Sequence, residues 1–272
     1  MVFGGIPYYM EYMDAELSFA QNVDNVFFSE DAKLKLEYDR LFESVFKRPE
    51  STKTIVELLY TRNMGYTRKN IAEMLHVSDG GHLTKDLNAL IASDFVARYV
   101  PFGFSKKEEH YKLTDSFCLF YLHFVRNQTE KNKHFWQQNT AQPQVIAWRG
   151  YAFENVCFAH IDQIKDALGI RDVISSESAW TKKADDEDGM QIDMLISRKD
   201  NVINMCEIKF YADDFAVSKE YYRTIQRRIE ALLAMIPRKM SVYSTLITTY
   251  GLEKNEYSGA FVKVITFDDL FR

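Results

Sequence analysis

Hydrophobic and polar positions along this chain follow a helical period in the first part and a strand-like one in much of the second. Apolar residues recur at three- and four-residue steps through Leu34, Tyr38, Leu41, Phe42, Val45 and Phe46, which predicts an amphipathic helix. A second helix is expected over 52–62 with Ile55, Leu58 and Leu59 inward, and a third over 68–75, where Thr67 can cap the first turn. After the turn Ser78-Asp79-Gly80-Gly81 a fourth runs over 83–92 with Leu83, Leu87, Leu90 and Ile91 as its stripe. Strand-like runs near 95–100 and 109–113 then flank a charged loop. Three helices followed by such a hairpin make a winged helix-turn-helix.

Later the period shortens. Residues 173–180, 190–197 and 202–210 read as strands, and the turn-forming Arg198-Lys199-Asp200-Asn201 predicts an antiparallel hairpin between the last two. A helix before them carries Phe153, Val156, Cys157, His160, Ile161 and Ile164 at near-helical spacing. A long helix after them carries Tyr221, Tyr222, Ile225, Ile229, Leu232 and Leu233 and stops at Pro237. Strands over 241–249 and 261–267 complete the pattern. The fold class expected is α+β: a helical segment and winged helix-turn-helix, then an α/β domain on a central mixed sheet.

The chemistry lies in the predicted hairpin. Glu207 and Lys209 are two residues apart on one strand, so they share a face roughly 7 Å apart while Ile208 faces the other way. Asp193 stands on the preceding strand. If the register brings it close, two carboxylates and an ammonium converge. Mg²⁺ is commonly held by one or two carboxylates with waters and phosphate oxygens, so Asp193 and Glu207 make a seat for Mg²⁺ or Mn²⁺. A neighbouring lysine can orient the attacking water or offset charge on phosphate oxygens. The bland alternative is a solvated strand face with a weak salt bridge.

This arrangement resembles the PD-(D/E)XK nuclease-like superfamily, whose pattern is an Asp on one strand and Asp/Glu-x-Lys on the next, often after a helix carrying a Glu. The resemblance covers roughly the last 120 residues. It implies that Glu154, in the helix opened by Gly150, is a metal ligand with Asp193 and Glu207, that Lys209 stands beside the attacking water, and that these four residues are catalytic. Ile192 occupies the position of the motif's Pro and removes no ligand. Lys219, Arg223, Arg227 and Arg228 on the following helix are expected on its wet side.

In a DNA-binding winged helix the third helix enters the major groove, which makes His82, Thr84, Lys85 and Asn88 the candidate base and phosphate contacts, with Lys106 and Lys107 on the wing. Solvated surface and domain-domain contact are the competing roles. From residue 51 to 126 ten Lys and Arg face eight Asp and Glu, a surplus of two, which is small for displacing counterions.

The first fifty residues hold much apolar surface and little core of their own. Their Gly4-Gly5-Ile6-Pro7-Tyr8-Tyr9 string resembles the lid region of archaeal-type AAA ATPases, and Leu113-Thr114-Asp115-Ser116-Phe117-Cys118-Leu119-Phe120-Tyr121 is similar to the segment that follows the wing there. In that family a winged helix and then a nuclease-like domain follow the ATPase core, so the resemblance implies the C-terminal region of such a protein. No G-x-x-x-x-G-K-[ST] phosphate loop occurs in the 272 residues, and no ATP site is expected in this chain.

The boundaries expected are 1–50 for the lid-like segment, 51–126 for the winged helix, a polar linker over 127–148, and 149–272 for the nuclease-like domain. Cys118, Cys157 and Cys206 lie in apolar runs without ligand spacing, which predicts reduced core thiols. His123 and His134 lack ligand companions. The run Asp185-Asp186-Glu187-Asp188 is expected to be a solvated loop. A net charge of −5 disfavours a protein that coats nucleic acid, while leaving room for a local DNA site. With no leader or apolar span of membrane length, a cytoplasmic location is expected. Two functions stand open: a metal-dependent DNA nuclease, or a non-catalytic module binding DNA or a protein partner and coupled to an ATPase core.

Overall fold

In the computed structural model, which describes residues 1–128, 132–182 and 190–272, the chain forms two units. One comprises Met1–Tyr99 with Ser105–Trp148, the other Val100–Phe104 with Arg149–Arg272. The acidic run at 185–188 lies outside the described residues.

The first unit begins with three helices, α1 (Pro7–Met10), α2 (Phe19–Val23) and α3 (Glu37–Val45). Ser18 and Gln21 close a reciprocal capping box at the start of α2. On α3, Tyr38 and Phe42 are buried, but Val45, expected in the same stripe, faces solvent. Next come α4 (Pro49–Tyr60), the short strand β1 (Tyr66–Thr67), α5 (Arg68–Met74) and α6 (Gly81–Ala92). Proline opens α4, where its missing N–H costs nothing, and the Thr67 hydroxyl caps α5 by accepting from the Asn70 amide at 3.2 Å. Ile55, Val56, Leu59, Ile71, Leu83, Leu87 and Leu90 are buried, so the apolar stripes of the three helices do face inward.

Strands β2 (Val96–Tyr99) and β3 (His110–Leu113) pair antiparallel, and β1 adds to β3, giving the order β1-β3-β2. Gly65 turns the chain into β1 at φ +67°, and a Cβ there would lie 1.8 Å from the Tyr111 carbonyl oxygen. Only glycine fits both the left-handed backbone and the close approach.

Helices α7 (Ser116–Phe120) and α8 (Phe135–Asn139) follow, with a single wide turn, Tyr121–Val125, extending α7. Residues 132–148, expected as linker, are folded into this unit. Phe135 and Trp136 are the reason: Trp136 is buried and meets Phe120 and Phe124 edge to face, and Trp148 meets the same two rings. Phe27 stacks on Phe117, so the N-terminal segment shares that aromatic core rather than building its own. The buried Asp24 carboxylate accepts from the amides of Trp136 (2.7 Å) and Gln137 (3.1 Å) and from Gln137 Nε2 (2.8 Å), capping α8 from 112 residues away.

The helix α9 (Pro143–Ala159) starts earlier than Gly150 and leads to α10 (Ile161–Leu168). Beyond them the second unit holds β4 (Ser175–Lys182), β5 (Met190–Arg198), β6 (Val202–Lys209), α11 (Lys219–Met235), β7 (Ser241–Thr248) and β8 (Lys263–Thr266). The sheet order is β4-β5-β6-β7-β8. Pairing is antiparallel across β4-β5-β6 and parallel across β6-β7-β8, so the sheet is mixed, as expected. Parallel pairing of β6 with β7 needs a long crossover, which α11 supplies. Its Ile225 and Leu232 are buried with Ile203, Met205 and Leu246. The segment 100–104 belongs here too: Phe102 packs on that cluster and its amide donates to the Ala179 carbonyl.

Replacing Asp24 by Ala leaves three donors without their acceptor. We expect a loss of about 1–3 kcal/mol, read as an earlier urea transition by tryptophan fluorescence; an unchanged midpoint would remove Asp24 as the cap of α8.

Candidate functional site

Strand β6 is central, and its alternation divides the site. Ile203 and Met205 face α11, so Glu207 and Lys209 continue that face, while Asn204, Cys206 and Ile208 point the other way. The register of β5 with β6 runs to Met194 opposite Cys206. One residue further, the Asp193 carboxylate takes the place of a backbone acceptor and receives the Ile208 amide at 2.9 Å. The strand end therefore aims Asp193 at Glu207 and Lys209. Lys209 Nζ stands 4.0 Å from Asp193 Oδ2 and 5.4 Å from the centre of the Tyr221 ring.

Glu207 is fully buried. Its Oε2 accepts from the Tyr221 hydroxyl at 2.8 Å and from the guanidinium of Arg228, both on α11. Its Oε1 is buried without a hydrogen-bond partner among the described residues. Burial, and next the Asp193 charge, raise the Glu207 carboxyl above its ordinary value; Arg228 and Lys209 pull the other way. Tyr221 is raised by its own burial and by Glu207.

Arg228 corrects an expectation. Expected with Lys219, Arg223 and Arg227 on the wet side of the helix, its side chain is instead 18% exposed and turns in to Glu207. Arg228 follows Tyr221 by seven residues, two helical turns, so the two reach the same carboxylate. Sequence reading missed Tyr221 as a site residue as well, since its place in an apolar stripe hides its hydroxyl. The recoverable signal was a Tyr and an Arg seven apart on the helix that must cover a buried Glu.

Glu154 is half-buried on α9, one turn before Cys157. That helix lies on the opposite sheet face: Phe153 meets Phe210 at 5.6 Å, and the buried Cys157 thiol is raised by burial, then by Cys206, Glu154 and Asp193. Among the described residues no group of three or more His, Cys, Asp or Glu is arranged to hold a metal ion. Glu154 and Asp193 both act on the Cys157 thiol, and Asp193 and Glu207 are brought together. The pair still fits a divalent cation in its donor chemistry, with two neighbouring carboxylates and an unsatisfied oxygen on one of them.

In the first unit, His82, Lys85 and Asn88 are exposed on α6 at three-residue steps, forming a stripe. Thr84 is less free, its hydroxyl donating to the Gly80 carbonyl at 3.2 Å. Behind the stripe, buried Asp86 accepts from Ser51 at 2.5 Å and pairs with Arg48, whose guanidinium also meets His82. These bonds fix α6 against the start of α4. Lys106 and Lys107 are exposed in the loop between β2 and β3. The three cysteines are free and buried. His123 bonds Tyr60, and His134 opens α8. Among the described residues no helix is long and apolar enough to cross a membrane.

The raised Glu207 sets a pH dependence. The folded protein holds this proton more tightly than the unfolded chain, whose carboxyl titrates near 4.5. Its contribution to stability is thus present below that pH and is lost as pH rises through the higher folded value. Relative to Glu207→Gln, the wild type should gain stability as the pH falls through this interval. Parallel melting curves between the two proteins would contradict this.

No family model matches this chain, and no curated protein matches it. Its structure is similar, at a TM-score of 0.30 and 12% identity, to the crystal structure of protein VC1899 from Vibrio cholerae, with 92% of this chain and 57% of that chain covered. The chain thus spans less than two thirds of that protein's length.

Proposed function

We propose that this chain is a divalent-cation-dependent DNA nuclease, directed to its substrate by a winged helix. The observation that carries the reading is the meeting of Asp193, Glu207 and Lys209, with Glu207 Oε1 buried and unpartnered beside the second carboxylate. Asp193 and Glu207 would hold the cation, Mg²⁺ or Mn²⁺. When bound, it supplies a Lewis acid that polarises a phosphoryl oxygen and offsets its growing charge.

The remaining work falls to side chains. In the hydrolysis a bond forms from water oxygen to phosphorus and one phosphorus–oxygen ester bond breaks. The water loses a proton and the departing sugar oxygen gains one. Lys209, partly exposed beside Asp193, offers its ammonium to the water or to the phosphate oxygens. Tyr221 and Arg228 hold Glu207 in one orientation through Oε2, which keeps Oε1 directed away from them.

One observation favours a second reading. The guanidinium of Arg228 already neutralises Glu207, as a purely structural ion pair would. Under it the chain is a non-catalytic module that binds DNA or a protein partner and communicates with an ATPase. Either reading is compatible with our placing this chain as the region that follows the core of an archaeal-type AAA ATPase, on the resemblance of its segments.

Cleavage of supercoiled, linear and single-stranded DNA with Mg²⁺ or Mn²⁺ tests the choice. Glu207→Ala and Lys209→Ala should each lower the rate by roughly a hundredfold or more. Equal cleavage by wild type and both variants would rule out this site, and folded wild type that binds DNA without cutting it would favour the second reading. For the exposed stripe on α6, Lys85→Ala should weaken DNA binding on all sequences and reduce the salt slope by about one. An unchanged slope in a salt titration would take Lys85 out of the interface.

A further inference from the structure

We propose that Thr248 belongs to the candidate site, where its hydroxyl and Glu207 Oε1 hold one water molecule between them. In the parallel pair of β6 and β7, Glu207 is in register with Leu246, and Lys209 with Thr248. Neighbours in register project to one face of a sheet, and residues two apart on a strand do the same. Leu246 identifies the face, because it is buried with Ile225 and Leu232 of α11. Thr248 is therefore on the α11 face, diagonal to Glu207 and adjacent to Lys209.

Thr248 is fully buried, and its Oγ1 finds no hydrogen-bond partner among the described residues. Glu207 Oε1 shares that condition, and the two lie on adjacent strands at the carboxyl end of the parallel pair. Buried polar groups in folded proteins are nearly always bonded, to protein or to ordered water. Two unpartnered oxygens on one face, one an acceptor only and the other both donor and acceptor, are answered together by a single water. Lys209, the in-register neighbour of Thr248, is a third group able to bond it. Thr248 thereby acts as a positioning residue: it fixes a water at the carboxylate, next to the lysine. That the water serves hydrolysis rests on the nuclease reading; its presence does not.

Crystal structures of wild type, Thr248→Val and Thr248→Ser, at a resolution that shows ordered water, test this beside DNA cleavage. The expected wild-type structure has one water about 2.7–3.2 Å from both oxygens. The valine variant keeps the side-chain size and loses the water, and the serine variant retains it. The valine variant should also show roughly tenfold lower kcat at unchanged KM, restored by serine. A wild-type crystal without a shared water, dry or with each oxygen bonded to a separate group, overturns the proposal. So does a valine variant that keeps the water in place, or one with wild-type kcat while wild type cleaves. If the valine variant does not fold, the wild-type and serine crystals still decide. A shared water in a wild-type protein that cuts no DNA with either cation supports this inference and removes the nuclease reading.

Discussion

A carboxylate with no solvent exposure, on the strand where the sheet changes from antiparallel to parallel pairing, must be answered by groups from outside its own strand. Glu207 is answered by the tyrosine and arginine of α11, and α11 is also the crossover that allows β7 to pair parallel to β6. The connection required by topology thus supplies the charge required by electrostatics. Asp193 enters because β5 reaches the end of its register with β6 just there, freeing its side chain to bond a backbone amide that the ladder leaves over. Site and sheet are consequently one arrangement, with little slack for a register change in either strand.

The same arrangement places opposed demands on Arg228. Leaving Glu207 unpaired in a dry interior is costly, so the arginine stabilises the fold. By neutralising one of the two carboxylates, it also competes with any cation that would use them. A site of this kind is strongly held and weakly charged, and under the nuclease reading how firmly it would bind a cation depends on how readily the guanidinium gives way.

Much of the second unit could be read from the chain directly. Strands rich in Ile, Val and Met, a proline after the long helix and a polar turn at 198–201 each carry local signals, and the strands and crossover helix appear where those signals stand. The pairing of Glu207 with Lys209 on one face follows from the two-residue period alone. Arg228, Tyr221 and Thr248 were not legible in this way, because their roles depend on which helix covers which face and on the register of two parallel strands. Residues 132–148 of the linker expected over 127–148 belong to the first unit for a related reason. The linker's polar composition outweighed Phe135 and Trp136, whose packing depends on rings contributed by residues far away in sequence. On α6 the inward stripe was plain, but the tie of Thr84 to Gly80 is a capping detail that a list of polar residues does not reveal.

Asp24 makes the longest-range side-chain hydrogen bonds named above. Its carboxylate sits in the first tenth of the sequence and its amide partners in the middle of it. During synthesis the early segment must therefore wait, its aromatic surface and its charge both unmatched, until residues beyond 137 have left the ribosome. Closing so long a loop costs chain entropy before any contact returns it. Helices α4 to α6 and strands β1 to β3 lie entirely within that loop, so they can form before it closes.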